Sequence, residues 1–332
     1  MCPPCVASGG PELLHQLAYK LGKRGFDVAM YYYPANVESP VCEHYAKYNC
    51  RYVTEVEDRK ENLIIIPELY FYFAGQFKNI RKCAWWLSVD NLFKANEAPK
   101  HYRMIRKLKI KWLHRAVTIN GKVRGKFNYH LAQSAYAIDF LKQWNIDAEY
   151  LSDYLNADFL EASRDVDLTA KKQQILYNPL KGWRFTRKII AALPDATWIP
   201  LQKLTPAQVG ALLKESMLYI DFGHHPGKDR FPREAAIYKC CVITGKRGSA
   251  AFDGDVPIPA QYKIGDKKRN IPAIVKLINS CLTDYEKHIG HFEAYREWIY
   301  KEEAAFENDI ARIFVEAQWT VNELYSSIKD VR

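Results

Sequence analysis

The stretch from Leu218 to Thr244, LYIDFGHHPGKDRFPREAAIYKCCVIT, constrains the fold of this chain more than any other. Leu218 to Asp221 reads as a buried strand. A polar loop carrying His224, His225, Lys228, Asp229 and Arg230 follows it. Glu234 then opens a short helix, and Cys240 to Ile243 reads as the next buried strand. Two apolar strands joined by a crossover helix imply a parallel pair, because parallel strands need a connection of that kind. The loop lies at the carboxyl end of its strand, where open α/β sheets bind their ligands. Acidic, basic and imidazole groups gathered there suit a polyphosphate better than a bare connection.

The rest of the chain repeats the pattern. Ser8-Gly9-Gly10-Pro11-Glu12 is a helix start, with Pro11 in the first turn and Glu12 adding negative charge near the amino end. Leu13, Leu14, Leu17, Ala18 and Leu21 form its apolar stripe, and Gly25 marks its end. Strands are predicted at Phe26 to Tyr33, Leu63 to Pro67, Cys83 to Leu87 and Ala116 to Ile119. A short strand ends at Ala132 to Ser134, a helix covers Ala135 to Trp144, and Glu149 to Leu151 is a brief strand. The polar segment from Asn156 to Lys172 reads as the domain boundary.

Beyond it come strands at Gln174 to Tyr177, Thr197 to Ile199 and Leu218 to Asp221. They alternate with helices at Trp183 to Leu193 and at Thr205 to Glu215, the latter capped by Thr205. Lys268 to Tyr285 is predicted helical. A helical tail from Phe292 to Ile328 follows, with an interruption at Asn308 or Asp309. The fold class is α/β: two Rossmann-like doubly wound domains facing a cleft, with a carboxyl-terminal helical tail. The expected domains are 1–160, 161–290 and a tail, 291–332, packing back toward the first. Only eight residues precede Gly9 of the first glycine loop, which leaves little room for a strand ahead of it.

With 332 residues, 48% of them apolar, the chain can bury a sizeable core and most naturally splits into two domains. The formal charge of +10 favours anionic partners, whether nucleotide, nucleic acid or anionic lipid. Eight cysteines follow no framework spacing, and Cys2-Pro3-Pro4-Cys5 has no second pair at metal-ligand distance. No metal site is expected. Cys240 and Cys241 read as small core residues, and the expected compartment is cytoplasmic. The longest apolar runs fall short of the ~20 residues that span a bilayer. A membrane would therefore be met peripherally, at its inner face.

Three segments resemble the two-domain nucleotide-sugar glycosyltransferases of the GT-B fold (glycosyltransferase group 1, family 4-like). SGGPELLHQLAYKLGKRGFDV is similar to their amino-terminal glycine loop and helix. YNPLKG, followed by a helix, is similar to the opening of their donor domain, where a basic residue meets the diphosphate; Lys181 holds that place. EAAIYKCCVI, from Glu234 to Ile243, is similar to their donor-site run, in which the Glu binds the ribose hydroxyls. One departure bears on mechanism. Retaining members commonly carry a second Glu eight positions before the ribose Glu, and here that position is Pro226. Retention and inversion both stay open.

The resemblance and the residue chemistry together nominate a site. Glu234 is the ribose ligand, against its plain role of stabilising a helix amino end. Lys181, Lys228, Arg230 and Arg233 are candidates to neutralise phosphate, against ordinary surface charge. Gly9 and Gly10 leave amides free at a helix start, an anion site. Gly248 and Ser249, in GKRGS, offer amides and a hydroxyl but lack the full phosphate-loop pattern. His224, His225 and Asp229 are candidate catalytic groups in the donor loop, and Glu68 and Asp90 are candidate bases from the first domain. His15 reads as a core histidine. No cofactor is expected.

The function implied is transfer of a sugar from a nucleoside-diphosphate sugar to a glycan or lipid-linked acceptor, in polysaccharide or glycoconjugate assembly. Two other readings stand beside it. One is a non-catalytic binder of nucleic acid or another anionic polymer, which fits the charge and the aromatics but lacks any recognisable nucleic-acid motif. The other is a sugar-nucleotide epimerase of the same two-domain plan.

Overall fold

A computed structural model describes residues 1–93 and 111–316. The chain divides into two compact units. The first comprises Met1–Gln133, Ala137–Asp153 and the chain from Ala305 on; the second comprises Ser134–Tyr136 and Tyr154–Ala304.

In chain order, the first unit runs α1 (Gly9–Lys23), β1 (Met30–Tyr31), β2 (Tyr52–Val53), β3 (Leu63–Pro67), β4 (Arg81–Trp86), α2 (Val89–Leu92), α3 (Lys111–Lys122), β5 (Tyr129–Ala132), α4 (Ala135–Lys142) and β6 (Glu149–Tyr150). β3, β4, β5 and β6 form a parallel sheet in that order, and β1 pairs with β2 in a separate parallel pair. The predicted stripe of α1 is its buried face: Leu13, Leu14, Leu17, Ala18 and Leu21 are all buried. His15 is buried too, its ring nitrogens 2.7 Å from Pro11 O and 2.7 Å from Tyr32 Oη.

Two expected strands differ. Ala116 to Ile119 belongs to a helix, α3, although its β-branched run reads as a strand. Thr118 Oγ1 satisfies itself on His114 O, one turn back at 2.7 Å, and Thr118 and Ile119 are both buried. Of Phe26 to Tyr33, only Met30 and Tyr31 join a ladder, because β2 offers just two residues to pair with.

The second unit begins with α5 (Ala157–Ala162) and continues β7 (Lys172–Tyr177), α6 (Trp183–Ala192), β8 (Thr197–Pro200), α7 (Pro206–Glu215), β9 (Ser216–Asp221), α8 (Arg230–Ile237), β10 (Cys241–Thr244), α9 (Ile271–Thr283), α10 (Tyr285–Gly290) and α11 (Glu293–Tyr300). Its sheet is parallel throughout, in the order β10-β9-β7-β8. Leu218, Tyr219 and Ile220 of β9 and Cys241, Val242 and Ile243 of β10 are fully buried, which is why these strands read as unbroken apolar runs. Thr205 caps α7 in a reciprocal box with Gln208. The predicted helix from Lys268 to Tyr285 is α9, shorter at both ends. The tail does not break at Asn308 or Asp309. It breaks at Lys301, and α12 (Glu302–Ile310) runs through both before a π-helical turn, Ala311–Glu316. The remainder of the predicted tail lies outside the described residues. In the first unit, Glu307 pairs with Lys20 and Arg312 with Glu149.

One buried cation ties the second unit together. Lys171 Nζ donates to Leu213 O at 2.8 Å, Ser216 O at 2.8 Å and Tyr238 O at 2.6 Å, at the ends of α7, β9 and α8. Burial pushes its pKa down. Lys171→Met would leave three buried carbonyls without this donor, and urea unfolding is expected to show a loss of at least about 3 kcal/mol.

Candidate functional site

Three loops meet at the carboxyl edge of the second unit's sheet, and glycines let them touch. Gly182, after β7, sits at φ +67°, and a Cβ there would lie 2.6 Å from Gly223 N and Phe222 O in the loop after β9. The third loop follows β10. His225 N donates to Arg247 O at 3.2 Å, and Ser249 N donates to His225 O at 2.9 Å. Gly248, at φ +65°, allows this, since any Cβ would collide with the His225 carbonyl oxygen. Ser249 Oγ, expected to face diphosphate, donates instead to Gly227 O at 2.6 Å. These contacts set the backbone of the loop before any side chain acts.

A line of charges is mounted on that backbone. Asp221, buried at the end of β9, accepts from Gly223 N at 2.7 Å and from Tyr219 Oη at 2.9 Å. His225 is wholly buried between two carboxylates, with Nε2 3.3 Å from Asp221 Oδ2 and Nδ1 3.5 Å from Asp229 Oδ2. Burial alone would lower the His225 pKa, but Asp221 and then Asp229 outweigh it and raise it. Burial likewise works to raise Asp221, and the His225 charge and the Gly223 N–H hold it below the usual carboxylate range. His225 is therefore clamped between two acids that favour its charged form. Asp229 in turn holds Lys181, whose Nζ lies 2.8 and 2.6 Å from its two oxygens. Arg230 Nε lies 3.1 Å from Glu234 Oε1.

Exposure separates the nominated residues. The side chains of Lys181 and Arg230 keep 33% and 26% of their surface open. His224 is half-buried, its ring edge-on to Tyr136. Lys228 and Arg233, predicted to neutralise phosphate, are buried on a shared partner that the local sequence does not announce. Lys228 Nζ is 2.7 Å from Glu302 Oε1, and Arg233 Nη1 is 2.9 Å from Glu302 Oε2. Lys228 also sits 4.3 Å over the Trp298 ring. These two cations brace α8 through Glu302. Glu234 does not open the helix. α8 starts at Arg230, which puts Glu234 one turn inside it and largely buried.

The first unit's candidates are also visible. Gly9 is exposed at the start of α1. Gly10 is not forced by packing, since a Cβ there would meet only Leu87 Cδ1 at an ordinary 3.5 Å. Asp90 is 3.7 Å from Arg115. Glu68 is 2% exposed, and burial raises its pKa to about 7 against the pull of its hydrogen bonds. Its carboxylate accepts from Leu87 N at 3.1 Å and Asn91 Nδ2 at 3.5 Å, joining the carboxyl ends of β3 and β4. This geometry makes Glu68 a buried brace between strand ends.

Asp221 was not among the residues nominated from sequence. Its signal was the even spacing Asp221, His225, Asp229, one acid four residues to either side of an imidazole. These groups lie within 4.8 Å of one another, the ligand chemistry of a small cation. Here the ammonium of Lys181 stands against Asp229.

Two predictions follow from these pairings. Glu302→Gln leaves Lys228 and Arg233 short of their common counter-charge, with an expected loss of about 3–5 kcal/mol in urea unfolding. For Glu68, the folded protein keeps a proton that the unfolded chain releases near pH 4.5, so stability falls as pH rises from about 4.5 to about 7. Glu68→Gln removes that slope. Its stability relative to the unsubstituted protein should climb by an amount on the order of 3 kcal/mol across the window, read as paired urea midpoints.

No protein-family model matches the sequence, and no curated protein does. Solved structures do match over nearly the whole chain. Sucrose-phosphate synthase from Thermosynechococcus elongatus superposes with a TM-score of 0.63 at 13% identity, covering 97% of this chain and 94% of that one. A glycosyltransferase from Rickettsia africae gives 0.61 at 15% identity, covering 95% of each chain. HepE from Anabaena, solved with UDP and glucose, gives 0.63 at 11% identity, covering 94% and 97%. These likenesses agree with the two parallel-sheet units and their element order: the chain has the GT-B glycosyltransferase fold.

Proposed function

We propose that this protein is a glycosyltransferase that takes a sugar from a nucleoside-diphosphate donor held by the second unit. The acceptor is a glycan or lipid-linked hydroxyl, in polysaccharide or glycoconjugate assembly. The observation that carries the reading is the pair of half-exposed cations, Lys181 and Arg230, each tied to a carboxylate at the carboxyl edge of the sheet. The likeness to HepE, which binds UDP and glucose, supports it.

In this reaction the bond from the anomeric carbon to the diphosphate oxygen breaks, and a bond to the acceptor oxygen forms as that hydroxyl loses its proton. Negative charge grows on the departing diphosphate. Lys181 and Arg230 meet that charge, and cations that tighten on it lower the barrier without a metal. Asp229 holds Lys181 until the diphosphate arrives, and the buried His225 ring fixes Asp229. His225 is thus a positioning residue. Glu234, inside the first turns of α8, offers its carboxylate to the ribose hydroxyls, an acceptor-only group facing two donors. Among the described residues, no helix is long and apolar enough to cross a membrane, so a lipid-linked acceptor would be met from one side.

Calorimetry with UDP, GDP, ADP, CMP and dTDP, with and without divalent cations, tests the proposal. One nucleotide should bind without added metal. Lys181→Ala should weaken it about tenfold or more, equivalent to about 1.4 kcal/mol, and Glu234→Ala should do the same while thermal unfolding stays cooperative. Binding of none of the five, by a protein that unfolds cooperatively, would remove the reading.

A further inference from the structure

Two neighbouring helices of the second unit carry exposed cations at the end where a helix favours acids. In α6, Phe185, Thr186 and Ile189 are buried, and Trp183, Arg184, Arg187 and Lys188 stand exposed on the opposite side at helical spacing. α9 packs beside α6, and Lys267, Lys268 and Arg269 are exposed just ahead of it. Both helices start at the carboxyl edge of the sheet. α6 follows β7 directly. The segment leading to α9 passes the carboxyl end of β10, where Ile264 N donates to Thr244 O at 2.9 Å. α9 then ends at the other edge, where Gln173 Nε2 donates to Leu282 O at 3.3 Å. Packed helices lie about 8–10 Å apart, so the six cations share one rim of one surface.

Helix dipoles favour acids at the amino end and cations at the carboxyl end. Here the first turns of α6 and α9 hold no acid, while Asp195 lies past the end of α6 and Asp284 past the end of α9. Asp266, next to Lys267, is 3.4 Å from Arg247. Among the described residues, none of the six cations is in an ion pair. Local pairing and helix stability therefore do not account for them. Apolar surface lies in their midst: Leu180 is 80% exposed and Trp183 45%. The Trp183 ring stacks on Tyr177, with the planes 17° apart, and so is held in place. Cations around an exposed indole and leucine make the composition of a membrane interface, where basic groups meet lipid phosphates and tryptophan sits at headgroup level. A polyanion in water would match the cations and leave Leu180 unused.

We propose that this surface docks on an anionic lipid bilayer. Leu180 and Trp183 enter the headgroup layer, and the cations of α6 and of Lys267 to Arg269 meet the lipid phosphates. Lys181 lies between Leu180 and Trp183 in the chain, so docking brings the donor edge of the sheet to the level at which a lipid-linked acceptor is presented. The docking itself needs no nucleotide and is independent of the donor reading.

The test sediments the full chain with phosphatidylcholine vesicles and with vesicles that also contain phosphatidylglycerol. Binding should require the anionic lipid and fall as salt rises. Arg184→Gln combined with Arg187→Gln and Lys188→Gln should weaken it about tenfold or more. Leu180→Ser combined with Trp183→Ser should weaken it about fivefold or more. The substituted side chains are exposed, so these variants should unfold as cooperatively as the parent. Lipids brominated near the headgroup should quench tryptophan fluorescence in the parent, and Trp183→Phe should lose that quenching. Failure to bind anionic vesicles, equal binding by the triple variant, or equal quenching in Trp183→Phe would overturn the proposal. So would tighter binding to RNA with vesicle binding unchanged in the Leu180→Ser, Trp183→Ser protein, which would assign the surface to a polyanion. Nucleotide binding without vesicle binding would overturn the docking and leave the donor site standing.

Discussion

Much of the second unit's site hangs on where one buried carboxylate lies. Asp221 ends β9 inside the protein, and its oxygens gather the Gly223 amide, the Tyr219 hydroxyl and the His225 ring. A lone charge there would be costly to bury. The His225 ring makes it tolerable, with Nε2 toward Asp221 and Nδ1 toward Asp229. Asp229 then orders Lys181 at the surface. The groups run from the core outward: acid, imidazole, acid, ammonium. Each member is stabilised by its neighbour, and only the last is open enough to exchange its partner for a ligand's phosphate.

Such a chain works only if its backbone does not yield. Gly182 against Gly223, and Gly248 against His225, bring three loops into direct main-chain contact, closer than any side chain would allow. The second support is the ion cluster of Lys228, Arg233 and Glu302. It anchors both ends of the Lys228 to Arg233 segment, with Asp229 and Arg230 between them. Cations on this short stretch thus divide by burial. Those beneath hold α8 in place, and Arg230, above, faces solvent beside Glu234.

The first unit handles buried polarity differently. Among the described residues, Glu68 has no cation paired with it. Burial raises its pKa to about 7, and it accepts from the Leu87 amide, so the ends of β3 and β4 are joined by a lone carboxyl group rather than an ion pair. The price is a pH dependence that an ion pair would reverse in sign.

How much of this could be read from the chain alone follows from the range of each interaction. Elements set by local periodicity were legible: the α1 stripe, the Thr205 cap and the unbroken apolar runs of β9 and β10, because neighbours within a few residues decide them. The α/β alternation was legible for the same reason, and with it the location of the loop between Asp221 and Arg230. Ala116 to Ile119 was misread because four β-branched or small residues carry no label for the longer helix that encloses them. The roles of the charges were not legible at all. Lys228, Arg230 and Arg233 lie within six residues of one another, yet Glu302, 69 residues beyond Arg233, withdraws two of them from solvent. The amino-acid sequence determined which groups stand at the edge of the sheet. Tertiary structure decided which of them are spent on one another, because pairing of charges depends on distance and burial in space and not on separation along the chain.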